Sequence, residues 1–216
     1  MLFAVPTAGY FLLRSLWIVT QNSGDSLPLR AVKSFTYPFT MLDAHFFYYL
    51  RNFIWPFEMR ALAKVEMIES ILAPTALIGL IFIVTTLVAA WLLRKRYPLI
   101  TFAILAYWLL FSLTSSIFPF GYVVTDYRQY LPLVFLSLTL TMLVFSFGQK
   151  AFSLTFLSGL VVYFSFASYY INSHWKTEES FWAQSVKYGA RALAHNNYGL
   201  VVAGKNPDLA EKHYLE

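Results

Sequence analysis

The sequence predicts an all-α protein: a polytopic membrane helical bundle followed by the start of a soluble helical hairpin. Of its 216 residues, 58% are hydrophobic and only 12% are charged, a balance far from that of soluble domains. Long apolar runs fill residues 71–171, and a polar tail with soluble amphipathic spacing follows at 172–216. We therefore divide the chain into a transmembrane domain, residues 1–171, and the opening of an extramembrane domain.

Each apolar run is close to the roughly 20 residues that a helix needs to cross a bilayer. The predicted spans occupy about residues 1–19, 71–93, 99–117, 131–147 and 152–171. The first of these contains Arg14, which we expect to reach toward the nearer membrane surface. No small-residue cleavage site follows this first run, so a span is favoured over a secretory signal.

Basic residues near span ends indicate the orientation, because short cytoplasmic loops are enriched in Lys and Arg. Residues 94–96 and Lys150 lie in short loops between spans and are predicted to be cytoplasmic. Segments 118–130 and 172–216 then face outward. Residues 21–70 would also lie outside although they contain basic residues, so the charge pattern is not unanimous.

The aromatic stretch 35–57 is interpreted as an interfacial helix on the outer face. Asp43, His45 and Arg51 interrupt it, and it is barely long enough to span. Its amphipathic rings are expected at headgroup depth. These rings are Tyr37, Phe46, Phe47, Tyr48, Tyr49 and Trp55. The alternative is a sixth span with a satisfied Asp43–His45–Arg51 cluster.

Composition also limits the kinds of site and partner that the chain is expected to have. The chain has no cysteine, which excludes disulfides, thiolate metal sites and thiol nucleophiles. The net charge of +5 resides mostly at span ends and forms no basic stripe, so nucleic acid is not an expected partner. The histidines are scattered and lack short ligand spacing with a carboxylate, so neither a metal site nor a cofactor is predicted. They are His45, His174, His195 and His213.

Three segments, in order, resemble a known family. Residues 45–56 (HFFYYLRNFIWP), 126–132 (DYRQYLP) and 175–182 (WKTEESFW) are similar to segments of transmembrane-and-tetratricopeptide-repeat O-mannosyltransferases and their bacterial relatives. In that family the first segment follows a large outer loop, the second precedes a late span, and the third joins the membrane part to the repeats.

The resemblance implies a membrane glycosyltransferase of the GT-C class. Such enzymes transfer a sugar from a polyprenyl-phosphate donor to a protein or glycan acceptor on the outer face of the membrane. The class places its catalytic acid in the first outer loop, for which this chain has no recognisable counterpart. Asp25 is interpreted as a turn residue. We therefore leave the catalytic residue unassigned and expect an inactive fragment of a longer enzyme.

The resemblance favours a bacterial inner membrane with the tail in the periplasm; an endoplasmic reticulum membrane with a lumenal tail is the alternative. Two other functions stay open. One is a non-catalytic membrane anchor for a tetratricopeptide scaffold, and the other is a polysaccharide ligase or polymerase. Membrane lipid, the sugar donor and an acceptor protein held by the repeats are the expected partners.

A lipid-linked phosphate needs fixed cations, and the arginine fork suits phosphate oxygens. Arg128 and Arg51 are predicted at outer span ends beside aromatic residues. The side chains predicted to help bind the donor are Tyr130, Tyr127, Tyr49 and Asp126. An ion pair between Arg128 and Asp126 is the structural alternative. Sugar transfer also needs a general base, and spacing does not choose among the candidates. These are Asp25, Asp43, His45, Glu58, Glu66, Glu69 and Asp126.

The tail has helical spacing over residues 178–194, and then again over 195–203 and 207–215 with a short turn at 204–206. Asn197-Tyr198-Gly199 with Ala210 and Tyr214 resembles a tetratricopeptide unit, in which small residues let paired helices pack closely. A lone unit cannot bury its apolar face, so we expect further repeats in a longer parent protein. A solitary amphipathic hairpin on the membrane surface is the alternative.

Overall fold

A computed structural model describes residues 36–58, 61, 63, 65–115, 123–189 and 192–216. Regular structure within these ranges is helical, which confirms the all-α class. The predicted span at 1–19 and Asp25 lie outside the described residues.

The membrane part begins with an aromatic helix that changes its winding. Helix α1 (Tyr37–Ala44) continues through a π-helical segment (His45–Leu50) into α2 (Arg51–Ile54), and a 3-10 turn (Pro56–Glu58) follows. The remaining helices are α3 (Pro74–Leu93), α4 (Pro98–Thr114), α5 (Tyr130–Phe147), α6 (Lys150–Ser173), α7 (Glu178–Lys187), α8 (Ala192–Val202) and α9 (Pro207–Tyr214). A second 3-10 turn, Asp126–Gln129, leads directly into α5.

Three helices among the described residues are long and apolar enough to cross a membrane. They are Pro74–Leu93, Asp126–Ser146 and Lys150–Ser173, which agree with the spans predicted at 71–93, 131–147 and 152–171. The run predicted at 99–117 forms α4, an apolar helix of 17 residues, which is shorter than the others. Large apolar side chains such as Ile81 and Leu92 are exposed on α3, as expected for a surface that meets lipid.

Local sequence explains where several helices begin. A proline occupies the first turn of α3, α4 and α9, where its missing N–H costs nothing and its fixed φ suits the helix. At the start of α7, the Thr177 side chain accepts a hydrogen bond from the backbone N–H of Ser180, and the Ser180 side chain bonds back to Thr177. This reciprocal cap separates the tail from α6.

Helix α1 packs against α3, which in turn packs against α4, and α4 packs against α5. Gly79 makes the first of these contacts possible: a Cβ at this position would overlap the backbone carbonyl of Leu42. The core lies where these helices meet and includes the large buried side chains of Tyr37, Met41, Tyr49 and Phe111.

The aromatic rings of segment 35–57 divide between two environments. Tyr37 and Tyr49 are 0% and 1% exposed, and Tyr48 is also buried, so these three rings contact protein rather than headgroups. Phe47 and Trp55 are exposed and fit the expected interfacial placement. The depth of this helix in a membrane stays a prediction.

The first helix of the tail, α7, contacts the membrane part. The side chain of Gln184 donates to the backbone carbonyl of Phe57 at 3.3 Å, and the hydroxyl of Ser185 accepts from the backbone N–H of Ala61 at 3.1 Å. The ring of Phe57 also contacts Tyr163 and Tyr170 of α6. Phe57 therefore contacts both α6 and α7, and Ala61 contacts α7.

The single helix predicted over residues 178–194 is wrong. Helix α7 ends at Lys187, and Gly189 adopts a left-handed φ of 77°, a conformation that glycine tolerates and that commonly terminates helices. Helix α8 then begins at Ala192. The predicted turn at 204–206 and the helices on either side of it are confirmed.

Candidate functional site

Asp126 lies at the centre of a polar cluster between the aromatic helix and the start of α5. Its carboxylate accepts a hydrogen bond from the Tyr48 hydroxyl at 2.6 Å and a longer one from the Asn52 side-chain amide at 3.4 Å. The π-helical segment carries Tyr48, and α2 carries Asn52. The cluster thus links two parts of the chain that are distant in sequence.

Arg128 is buried beneath this turn, with only 6% of its surface exposed. Its guanidinium donates a hydrogen bond of 2.9 Å to the backbone carbonyl of Val123. Burial raises the pKa of Tyr49, while a hydrogen bond with Ser115 and the positive charge of Arg128 oppose that rise. The charge of Asp126 also acts on Tyr49, so Tyr49 lies close to both charged groups.

Other predicted site residues lie apart from the buried cluster. Tyr127 and Tyr130 are 72% and 80% exposed, so both rings are available to a ligand or to lipid. Arg51 forms an exposed ion pair with Glu58. Of the hypothesised Asp43–His45–Arg51 cluster, Arg51 and His45 thus have separate partners, since His45 bonds to Ser115.

His45 is buried, and its imidazole is neutral. Its Nε2 lies 3.1 Å from the carbonyl oxygen of Ser115, and because a carbonyl only accepts, Nε2 carries the proton. Burial lowers the pKa of His45 to about 4. The lone pair therefore lies on Nδ1, which is buried without a hydrogen-bond partner among the described residues. Such a group can accept a proton only if a ligand or water reaches it.

Two further buried oxygens flank the Asp126 turn. Within the described part of the chain, the Thr125 hydroxyl and the Gln129 side-chain carbonyl have no hydrogen-bond partner. Buried polar groups without partners are uncommon in native proteins, and each such group calls for a water, an ion or a ligand. Neither residue was predicted from the sequence, because only their position around the turn distinguishes them.

An apolar groove of about 690 Å³ is lined in part by Phe53. It runs between α5 and α6, both of which are long and apolar enough to span a membrane. Hydroxyl groups interrupt its apolar walls. The lining residues are Phe53, Ser137, Leu140, Thr141, Leu157, Leu160, Val161, Phe164, Ser165 and Ser168. Phe53 follows Asn52 in α2, so adjacent residues of one helix contact the groove and the polar cluster.

A second cluster lies in the tail, where α8 and α9 pack against one another. His195, His213 and Glu216 place ligand-type atoms within 4.8 Å of one another, so the fold brings together two histidines that are scattered in the sequence. Partial burial and the neighbouring His195 lower the pKa of His213. Sequence spacing missed this group because His195 and His213 lie 18 residues apart and meet only when the hairpin forms.

Comparisons with protein-family models, curated proteins and solved structures find no match for this chain.

Proposed function

We propose that this chain binds a polyprenyl-phosphate-linked sugar donor as the membrane part of a glycosyltransferase that serves a protein or glycan acceptor. The observation that carries the proposal is that two consecutive residues of α2 contact an apolar groove and a buried polar cluster, one each. Phe53 lines the groove, and Asn52 bonds to Asp126 of the cluster. A lipid-linked phosphate has the same two parts: an isoprenoid chain and a charged headgroup.

The groove fits the isoprenoid chain because of its walls and its surroundings. Its two main helices are apolar enough to lie in a membrane, so a molecule entering from the side comes from the lipid phase. Four hydroxyl-bearing side chains in the lining are small and leave room that larger apolar residues would fill. A volume of about 690 Å³ lies in the range of small-molecule sites.

The headgroup end has charge and unmet hydrogen-bonding capacity. Arg128 supplies a permanent positive charge. The buried oxygens of Thr125 and Gln129 lack partners among the described residues; the Thr125 hydroxyl can donate to a phosphate oxygen, whereas the Gln129 carbonyl can only accept, for example from a sugar hydroxyl. Exposed Tyr127 and Tyr130 offer hydroxyl groups and flat faces to a sugar ring. In this proposal these residues bind and orient the donor. No general base is assigned.

In the same proposal, the tail binds the acceptor. In it, α8 and α9 form the first unit of a repeat array, on the periplasmic side of a bacterial inner membrane. Close packing of the hairpin supports this reading, since a Cβ on Gly199 would meet the ring of Tyr214. Small residues with this effect are typical of paired repeat helices.

A non-catalytic anchor for a repeat scaffold is the second candidate. The observation that favours it is that two acidic candidates are already engaged by protein groups. Asp126 accepts from Tyr48, and Glu58 pairs with Arg51. An anchor would retain these contacts for stability and would show no selectivity for a lipid phosphate.

Filling the groove tests donor binding. Ser165→Phe places a ring in the groove, whereas Gly159→Phe adds the same ring to the same helix at a position where a new Cβ meets nothing within 4 Å. Binding of undecaprenyl phosphate to the purified full chain in detergent would be measured by titration. We expect about a ten-fold loss for Ser165→Phe, equivalent to about 1.4 kcal/mol, and no loss for Gly159→Phe.

Competition with partial ligands distinguishes binding in the apolar groove from binding at the polar cluster. Polyprenol without phosphate should displace the donor weakly, and inorganic phosphate should not displace it at comparable concentrations. Equal affinity of both variants, or equal binding of polyprenol and polyprenyl phosphate, would favour the anchor.

A further inference from the structure

The tail hairpin brings together a ligand set that the proposed glycosyltransferase function does not use. The Nδ1 atoms of His195 and His213 lie 3.2 Å apart, and His195 Nδ1 lies 2.9 Å from a carboxylate oxygen of Glu216. His213 is buried, and the His195 side chain is only 14% exposed. Two imidazole nitrogens and one carboxylate oxygen therefore lie within 4.8 Å of one another at the side of the hairpin.

These separations resemble the edges of a metal coordination polyhedron. Zinc binds imidazole nitrogen at about 2.0–2.1 Å in tetrahedral geometry, so two of its ligands lie about 3.3 Å apart. The distances of 3.2 Å and 2.9 Å need only small side-chain adjustments to reach that value. A direct hydrogen bond between the two imidazoles is the alternative account of the first distance, and it would leave Glu216 as an exposed partner of His195.

We propose that His195, His213 and Glu216 form a zinc(II) site that joins α8 to α9. Nitrogen ligands disfavour calcium and magnesium, which take oxygen ligands, and a set of two imidazoles and one carboxylate suits zinc or a neighbouring transition metal. Three protein ligands leave a fourth position for water or for a group from another molecule.

The surrounding contacts fix the orientation of the ligands. The ring of Tyr198 contacts the ring of His213 edge to face, with centroids 4.9 Å apart. Leu215 continues the hydrogen bonding at the end of α9 by donating to the carbonyls of Glu211 and Lys212, which places Glu216 beside the hairpin. A metal at this point would tie the last turn of α9 to the first turn of α8 and stabilise the hairpin.

Zinc binding would be measured with the full chain in detergent, purified without a polyhistidine tag and stripped with chelator. Titration of Zn²⁺ against a chromogenic chelator gives the affinity, and Co²⁺ absorption reports the coordination. Because the chain has no cysteine, any intense d–d bands arise from nitrogen and oxygen ligands. The variants are His195→Ala, His213→Ala and Glu216→Gln, with His174→Ala as a control outside the cluster.

We expect one Zn²⁺ per chain and a rise in unfolding temperature with added Zn²⁺. Loss of an outer-shell partner alone typically weakens metal binding ~10–100-fold, so His195→Ala and His213→Ala should each weaken it at least about ten-fold. His174→Ala should bind as the wild type does. If either cluster variant misfolds, Glu216→Gln, which changes an exposed side chain, still tests the site.

Wild-type affinity in all three cluster variants would overturn the proposal, as would equal losses for His174→Ala and the cluster variants. Absence of Zn²⁺ binding by the wild type would also overturn it and would indicate a simple hydrogen bond between the imidazoles. None of these outcomes bears on donor binding by the membrane part.

Discussion

The phenol of Tyr48 donates a hydrogen bond of 2.6 Å to the carboxylate of Asp126, although the two residues lie 78 positions apart in the chain. This bond joins the π-helical segment to the turn that precedes α5. The structure thus brings segments 45–56 and 126–132 into contact, and Asp126 organises the polar cluster between them.

Removal of this hydroxyl should destabilise the protein. Hydrogen bonds to charged groups contribute about 1.5–3 kcal/mol, so we expect Tyr48→Phe to lower the free energy of unfolding by that order. Tyr127→Phe is the matched control, since Tyr127 is 72% exposed and surface changes usually stay within about 0.5 kcal/mol. Reversible unfolding in mixed micelles measures both. Equal stability of the two variants would show that the Tyr48–Asp126 bond contributes nothing.

Close packing of α1 on α3 should depend on Gly79. Gly79→Ala places a methyl group against the backbone of Leu42, which cannot move as a side chain can. Overpacking typically costs about 1–3 kcal/mol, and we expect the upper part of that range. Gly159→Ala adds the same methyl group in open space and should be neutral or slightly stabilising. Thermal unfolding in detergent compares the two, and a neutral Gly79→Ala would contradict the packing.

The apolar runs of the sequence predicted much of the helical framework, because they located α3, α4, α5 and α6. The prolines in the first turns of α3 and α4 were not part of that prediction. The π-helical winding that turns Tyr48 toward Asp126 was not predictable, because it depends on packing between distant segments. The role of Gly189 as a helix terminator was missed for a different reason, since helical spacing of the apolar residues continues past it.

The candidate site was predictable only in part. An arginine and a carboxylate at a span end were visible as a motif, whereas the burial of Arg128 against Val123 required the fold. The histidine cluster shows the same limit: His195 and His213 share no motif, and the hairpin alone places their rings 5.3 Å apart between centroids.

The predicted orientation can be tested with two matched lysine replacements. Lys176 in the tail and Lys95 between α3 and α4 are both exposed, and the chain has no native cysteine. We expect an impermeant thiol reagent to label Lys176→Cys in sealed cells and to leave Lys95→Cys unlabelled until the cells are opened. The reverse pattern would place the tail in the cytoplasm. It would also contradict the proposal that the donor is bound on the outer side of the membrane.

The placement of segment 35–57 has its own test. An interfacial helix has both ends on one side of the membrane, so Thr36→Cys and Glu58→Cys should react with the impermeant reagent from the same side. Labelling from opposite sides would show that the segment spans. The buried rings of Tyr37 and Tyr49 would then belong to the interior of a larger bundle.

In the proposed function, the Arg128 cluster binds the phosphate of a polyprenyl donor. Arg128→Lys keeps the positive charge and retains a donor for the Val123 carbonyl, but it loses the two-pronged geometry that suits phosphate. Arg128→Ala loses both. The matched measurements are the affinity for undecaprenyl phosphate and the unfolding temperature of each variant in detergent.

The affinity of Arg128→Lys for undecaprenyl phosphate is the most direct single measurement. We expect it to fall by about ten-fold, or about 1.4 kcal/mol, while the unfolding temperature stays near that of the wild type. Arg128→Ala should nearly abolish binding. An Arg128→Ala protein that is less stable yet binds the donor with unchanged affinity would contradict the account, because the arginine would then serve only to hold the turn.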